Sequence, residues 1–263
     1  MKSLKEHILE GILDIEDNIN YDISKDVIEE FLKENYNING SYTIKEIKHK
    51  FIVNVKGNVV VKNENITTLT NGFFEFGEVS KDFNCYYCRS LTSLKGAPKK
   101  VGGYFYCNYC DVLTSLKGAP KKVGGGFYCN GCNSLKSLED APEEVGGYFN
   151  CSGCNSLTSL KGAPEKVGGN FNCSGCNSLT SLKGAPKEVK RWFDCNQCNS
   201  LKSLKGAPKK VGKGFYCYGC NSLKSLEGAP DEVGEDFDCR DCGIKYTEVD
   251  VKKYTKVFGY ILV

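Results

Sequence analysis

Arginine and histidine are scarce in this 263-residue chain. The arginines are Arg89, Arg191 and Arg240, and the histidines are His7 and His49. Arginine is the usual bidentate reader of phosphate and guanine. With a formal net charge of only +3, the composition does not point to a nucleic-acid partner. Both histidines lie far from the cysteines in sequence, so a Cys-His nucleophile has no local basis. P-loop and G-x-S-x-G motifs are absent, as is any concentrated carboxylate pair. The chain therefore reads as a non-enzyme. No run approaches the ~18 apolar residues of a membrane span. Charges interrupt the first residues, MKSLKEHILEGILDIEDN, and no small-residue cleavage site follows. The expectation is a cytoplasmic protein not secreted by a signal peptide, with its thiols reduced.

Cysteine, by contrast, is abundant and periodic. All 16 cysteines fall in CxxC pairs: Cys85/Cys88, Cys107/Cys110, Cys129/Cys132, Cys151/Cys154, Cys173/Cys176, Cys195/Cys198, Cys217/Cys220 and Cys239/Cys242. The pairs recur every 22 residues without insertion. The unit is F-x-C-x-x-C-x-S-L-x-S-L-x-G-A-P-x-x-V-G-G-x. Its Phe recurs from Phe83 to Phe237 and its Leu pair from Leu91/Leu94 to Leu223/Leu226. All seven prolines, Pro98 to Pro230, close the same turn. A fixed period of this length is the mark of a solenoid. One unit has too few apolar groups to fold alone, but stacked units bury one another's faces.

Four regions follow. Residues 1–40 read as helical. Ser3 and Glu6 form a capping box ahead of the stripe Leu4, Ile8, Leu9, Ile12, Leu13, Ile15. A second helix starts near Ser24, carries Val27, Ile28, Phe31 and Leu32, and stops at Asn37–Gly40. Residues 41–82 read as a β cap and degenerate repeat. Its strands, Ile52–Val55 and Val59–Val61, are separated by a turn at Lys56–Asn58. Val59, Val61, Ile66, Leu69 and Val79 look like a worn repeat. Residues 83–242 are the array of eight CxxC units. Residues 243–263 read as a C-terminal cap, with a short helix opening at Thr247 and a strand over Val257–Val263.

The array resembles leucine-rich repeats, whose core is L-x-x-L-x-L-x-x-N/C-x-L. F-x-C-x-x-C overlays L-x-L-x-x-N/C, and S-L-x-S-L supplies the following leucines. More closely, the chain is similar to bacteriophage and gut-bacterial repeat proteins built on S-L-x-G-x-P-x-x-V-G-G-x-F-x-C. The resemblance covers residues 41–263. It implies a right-handed β-solenoid with one parallel sheet, a small helical N-terminal region and short α/β caps. It also implies a phage origin, with the host cytoplasm or a virion as location. It carries no activity with it.

Two readings of the CxxC pairs compete. Two such pairs 15–20 residues apart are a zinc pattern, which would make Cys85, Cys88, Cys107 and Cys110 a first site. Tetrahedral zinc needs sulfurs under ~4 Å apart, closer than the ~4.8 Å between stacked strands, and it would pair the coils two by two. The flanking residues show no such alternation. The favoured reading is a structural thiol ladder without metal or other cofactor. The first Cys fills a core position and the second satisfies a turn carbonyl.

Period two then marks three outward columns on the strand face. The first reads Asp82, Tyr104, Gly126, Tyr148, Asn170, Trp192, Gly214, Asp236. The second reads Asn84, Tyr106, Tyr128, Asn150, Asn172, Asp194, Tyr216, Asp238. The third reads Tyr86, Asn108, Asn130, Ser152, Ser174, Asn196, Tyr218, Arg240. These residues vary while the inward ones repeat, and aromatic residues are enriched in interface hot spots. The expected site is this face: Tyr86, Tyr104, Tyr106, Tyr128, Tyr148, Asn150, Asn172, Trp192, Asp194, Tyr216 and Tyr218. The expected partner is a protein, either a host factor or a virion protein. The alternatives are a thiolate zinc protein and a structural or virion-assembly component. Lysines after the prolines, such as Lys99/Lys100, alternate with Glu143/Glu144 and Asp231/Glu232 and read as a solvated surface.

Overall fold

The computed structural model describes residues 24–70, 72 and 74–263. The expected first helix with its stripe from Leu4 to Ile15 lies outside them. Helix α1 spans Lys25–Asn35, and its N-cap Ser24 accepts a hydrogen bond from the Val27 amide. It buries Ile28, Phe31 and Leu32, with Phe31 edge-on to Phe74. The helical region does not reach residue 40. Tyr36 is already extended and opens β1 (Tyr36–Ile47). Tyr36 is buried, and Ile38, Tyr42 and Ile44 pack on the same core, so the period-two pattern prevails over the helix from Tyr36 onward.

Strand β2 (Lys50–Val61) pairs antiparallel with all of β1, from Tyr36↔Val61 to Ile47↔Lys50. The expected turn at Lys56–Asn58 is corrected, because those residues lie inside β2. The chain reverses instead at Lys48 and His49, both with left-handed φ (51° and 61°), as a two-residue primed turn requires. Gly57 faces Gly40 across the hairpin. A Cβ on Gly57 would lie 1.9 Å from the Asn39 carbonyl oxygen, and one on Gly40 2.0 Å from that of Lys56. This glycine serves close strand approach and makes no bend.

β2 founds a parallel β-solenoid. Its first half pairs with β3 (Phe74–Val79), and Val59–Val60 pairs with β4 (Phe83–Asn84). Each following coil adds two strands of two residues. The first such pair is β5 (Lys100–Val101) and β6 (Phe105–Tyr106), and the pattern runs on to β17 (Glu232–Val233) and β18 (Phe237–Asp238). Even-numbered strands form one parallel ladder and odd-numbered strands a second, each in register at the repeat period. The Val of each V-G-G thus closes a strand of its own, and Gly-Gly leads from it towards the next Phe. The first glycine suits a close approach there. A Cβ on Gly124 or Gly146 would lie 2.2 or 2.1 Å from the carbonyl oxygen of the preceding coil's glycine.

The array does not end at residue 242. After α2 (Glu248–Lys252), capped by a Thr247–Asp250 capping box, β19 (Lys256–Val257) and β20 (Ile261–Leu262) extend both ladders. The expected single strand over Val257–Val263 is two strands of a further coil. Val257 and Ile261 keep the spacing of Val and Phe found in every regular unit. About ten coils result.

Inside, the eight Phe rings from Phe83 to Phe237 stack at 5.2–5.6 Å between centroids, within 4–17° of parallel. All are fully buried, as are Leu91/Leu94 and their equivalents. Outside, ion pairs join neighbouring coils. Glu144 is held by Lys122 at 3.0 Å and Lys166 at 3.2 Å, and Lys210 pairs with Glu232 at 2.9 Å. Many of the solvated lysines and acids are therefore matched from coil to coil. Among the described residues, no helix is long and apolar enough to cross a membrane.

Candidate functional site: the strand face

The cysteines line the inside of the first ladder's turn. All are free, and all but Cys242 are buried. From the second CxxC unit on, the second thiol donates to the carbonyl of the first cysteine one coil earlier: Cys110 to Cys85 at 3.3 Å, Cys132 to Cys107 at 3.1 Å, Cys154 to Cys129 at 3.2 Å, and so on to Cys242 and Cys217. Burial pushes the Cys88 and Cys110 thiols up to about 12. The column of thiol donors therefore runs from Cys110 to Cys242. Among the described residues, no group of three or more His, Cys, Asp or Glu side chains is placed to hold a metal ion.

The varying residues flank these strands on the outside. Tyr86, Tyr104 and Trp192 are exposed. Tyr106, Tyr128, Tyr148, Asn150, Asn172, Asp194, Tyr216 and Tyr218 are half-buried. The structure gathers four of them into one platform over three coils. Tyr106 stacks on Tyr128 at 5.0 Å, Tyr104 lies 6.0 Å from Tyr106, and Tyr148 meets Tyr128 edge-on at 5.6 Å. Gly126 makes room for this: a Cβ there would lie 2.8 Å from the Tyr128 ring. Asn172 donates to the Tyr148 hydroxyl at 2.8 Å. Burial raises the phenol pKa of Tyr106, Tyr128 and Tyr148.

The amide and carboxylate members have work inside the chain. Asn150, Asn172 and Asp194 each accept a hydrogen bond from the backbone amide two residues on, at 3.0, 2.8 and 2.9 Å. These are Asx turns, and they hold the strand exit. In the first column, Asp82 accepts from the Tyr104 amide at 2.8 Å, and Asn170 from that of Trp192 at 3.4 Å. An acid or amide in one coil thus anchors the aromatic residue in the next.

The remaining aromatic residues stand apart. Tyr216 leans over Gly214, and Tyr218 lies beneath the Arg240 guanidinium. Trp192 has Arg191 and Lys213 each 5.7 Å from its ring. Tyr86 joins Tyr87 and Tyr109, two residues not selected from the sequence. Tyr87 and Tyr109 stack at 5.2 Å, and both hold left-handed backbone (φ 60° and 57°). Gly131, Gly153, Gly175 and Gly219 occupy the same position in other units with φ near +70°. Their presence inside CxxC was the signal that marked it. A second unforeseen feature is an exposed amide ladder, in which Asn133, Asn155, Asn177, Asn199 and Asn221 each donate to the residue one coil back, beginning at Asp111.

Comparison of the chain with protein-family models, with curated proteins and with solved structures finds no match in any of the three.

Proposed function

We propose that the chain is a non-enzymatic recognition scaffold that binds a protein partner through the strand face. The observation that carries this reading is the four-ring platform of Tyr104, Tyr106, Tyr128 and Tyr148. Tyrosine offers large contact area at small conformational cost and is enriched where binding energy concentrates. Here the rings are further ordered by mutual stacking and by the coil below. From Asp82 to Ser152 the outward columns carry amides, tyrosines, Gly126, Ser152 and Asp82, and no basic side chain. A partner with a flat, largely uncharged surface fits that chemistry. Phage origin, with a host factor or virion protein as partner, rests on the repeat resemblance.

Affinity capture with the intact chain and with Tyr106→Ala/Tyr128→Ala tests the proposal. The variant keeps the inward residues, so its circular dichroism should match. A protein retained by the intact chain should be lost from the variant, at a cost of about 2 kcal/mol or more if these rings are hot spots. Equal capture by both would exclude this face. Removal of residues 1–23 should leave capture unchanged.

A further inference from the structure

At one junction the second ladder opens. From Ser80 to Phe258, the residue after each ladder valine donates its amide hydrogen to the valine carbonyl of the preceding coil at 2.9–3.0 Å, with one exception. The next residue donates likewise at 2.8–3.2 Å, again with one exception. The exceptions are consecutive, Lys190 and Arg191. They stand where the other regular units place Gly-Gly, or Gly followed by Lys or Glu. Strand β13 (Glu188–Val189) accordingly meets β11 (Lys166–Val167) through a single residue pair, Val167↔Val189, whereas its other neighbour takes two.

At the equivalent position one coil earlier, a Cβ on Gly168 would lie 2.1 Å from the Gly146 carbonyl oxygen. A side chain alone does not open the ladder, because Ser80 and Phe258 keep the bond at 2.9 and 3.0 Å; Lys190–Arg191 is the one junction at which both bonds are lost. Two adjacent backbone donors aimed at the preceding coil are left without protein acceptors among the described residues. The Lys190 and Arg191 side chains are exposed, and neither has an ion-pair partner within 4.0 Å among the described residues. Arg191 lies against Trp192. The carboxylates nearby are Glu165 and Glu188, on the rim of the same groove, and Glu235, engaged by Lys213 at 2.7 Å. The seam lies at one end of this groove of about 910 Å³, whose floor includes Gly102, Gly124 and Gly146.

We infer that this seam is an oxyanion site, taking a phosphate or sulfate group on the Lys190 and Arg191 amides and their side-chain cations. Paired backbone N–H groups beside unpaired cations are the elements of such sites. The group could arrive as the free ion or as the end of a longer molecule lying in the groove. The inference is independent of the strand-face reading, and either can fail alone.

Trp192, the only tryptophan, is the reporter. Inorganic phosphate, sulfate and hexyl phosphate are titrated against the full chain at constant ionic strength, with chloride as control. Calorimetry, Trp fluorescence and amide NMR shifts are recorded. Binding should shift the Lys190 and Arg191 amides. Tighter binding of hexyl phosphate would identify the groove-borne source, and equal binding the free ion. Lys190→Gly/Arg191→Gly restores Gly-Gly and should close the seam. It should raise Tm and weaken binding at least about tenfold, the loss expected for one charge-assisted hydrogen bond. Unchanged affinity in that variant, or amide shifts that bypass residues 190 and 191, would overturn the site.

Discussion

A sulfhydryl in this chain is a short internal strut. The second thiol of every CxxC unit after the first spans to the coil before it, and Ser or Ala at such a position tests two different things. Cys132→Ser keeps a donor, whereas Cys132→Ala leaves the Cys107 carbonyl without its partner. Burial also sets how the thiols titrate. The folded values of Cys88, Cys110 and Cys239 stand near 12, against about 8.5 for an unperturbed thiol. A group raised on folding stabilises fully below its unfolded value and loses that contribution as pH climbs towards the folded one. Stability should therefore fall between about pH 8.5 and 12, at up to ~1.4 kcal/mol per pH unit for each such thiol. Urea unfolding across this range would measure it, and a flat profile would refute the buried column. Cys242 behaves differently: its side-chain contact with Cys217 lowers its pKa, and it is the one thiol not fully buried. A thiol-reactive dye at pH 8 should modify Cys242 first and the other fifteen only on unfolding. The inward Phe and Cys were legible from spacing because period two assigns sides directly. The Asx role of Asn150, Asn172 and Asp194 was not, because it depends on a backbone amide whose direction the sequence does not show.

At the scale of elements, two-residue strands have almost no sequence signature of their own. Their strength comes from repetition. Phe-x and x-Val segments are too short for alternation to be visible within either one, so the second ladder carries no sequence signature of its own. The four-residue step from Val to Phe was the recoverable clue, and Val257 with Ile261 shows that it extends past the last CxxC. The hairpin misreading has the same origin, since Gly57 looks like a turn residue until its opposite number, Gly40, is known. The Phe column gives the first ladder its cohesion. Phe149→Ala removes one ring from the middle of the stack and should cost about 3–5 kcal/mol, with hydrogen exchange rising in the flanking coils first. A loss below ~1 kcal/mol would mean that the stack is not continuous.

At the scale of the whole molecule, the interior is periodic, while the exterior, apart from the Asn133–Asn221 ladder, varies from coil to coil. Solenoid class, period and array were visible because they depend on repetition. The open seam at Lys190–Arg191 was not, because it arises where the repetition breaks. Deleting residues 155–176 removes one period and rejoins Cys154 to Asn177. That product should fold with the native ladder hydrogen bonds, and a deletion one residue shorter should not. Thermal unfolding of the two would decide this. Equivalence of the coils also creates a folding hazard. Nothing in a column of identical Phe, Cys and Leu residues tells one coil which neighbour is its own, so a chain stacked out of order satisfies its core equally well. The bond from Asp82 to Tyr104 and the clasp of Lys122 and Lys166 on Glu144 each join one coil to one particular neighbour. These surface contacts work as addresses, and neutralising Glu144 should raise the yield of mis-stacked chains more than it lowers the stability of correct ones.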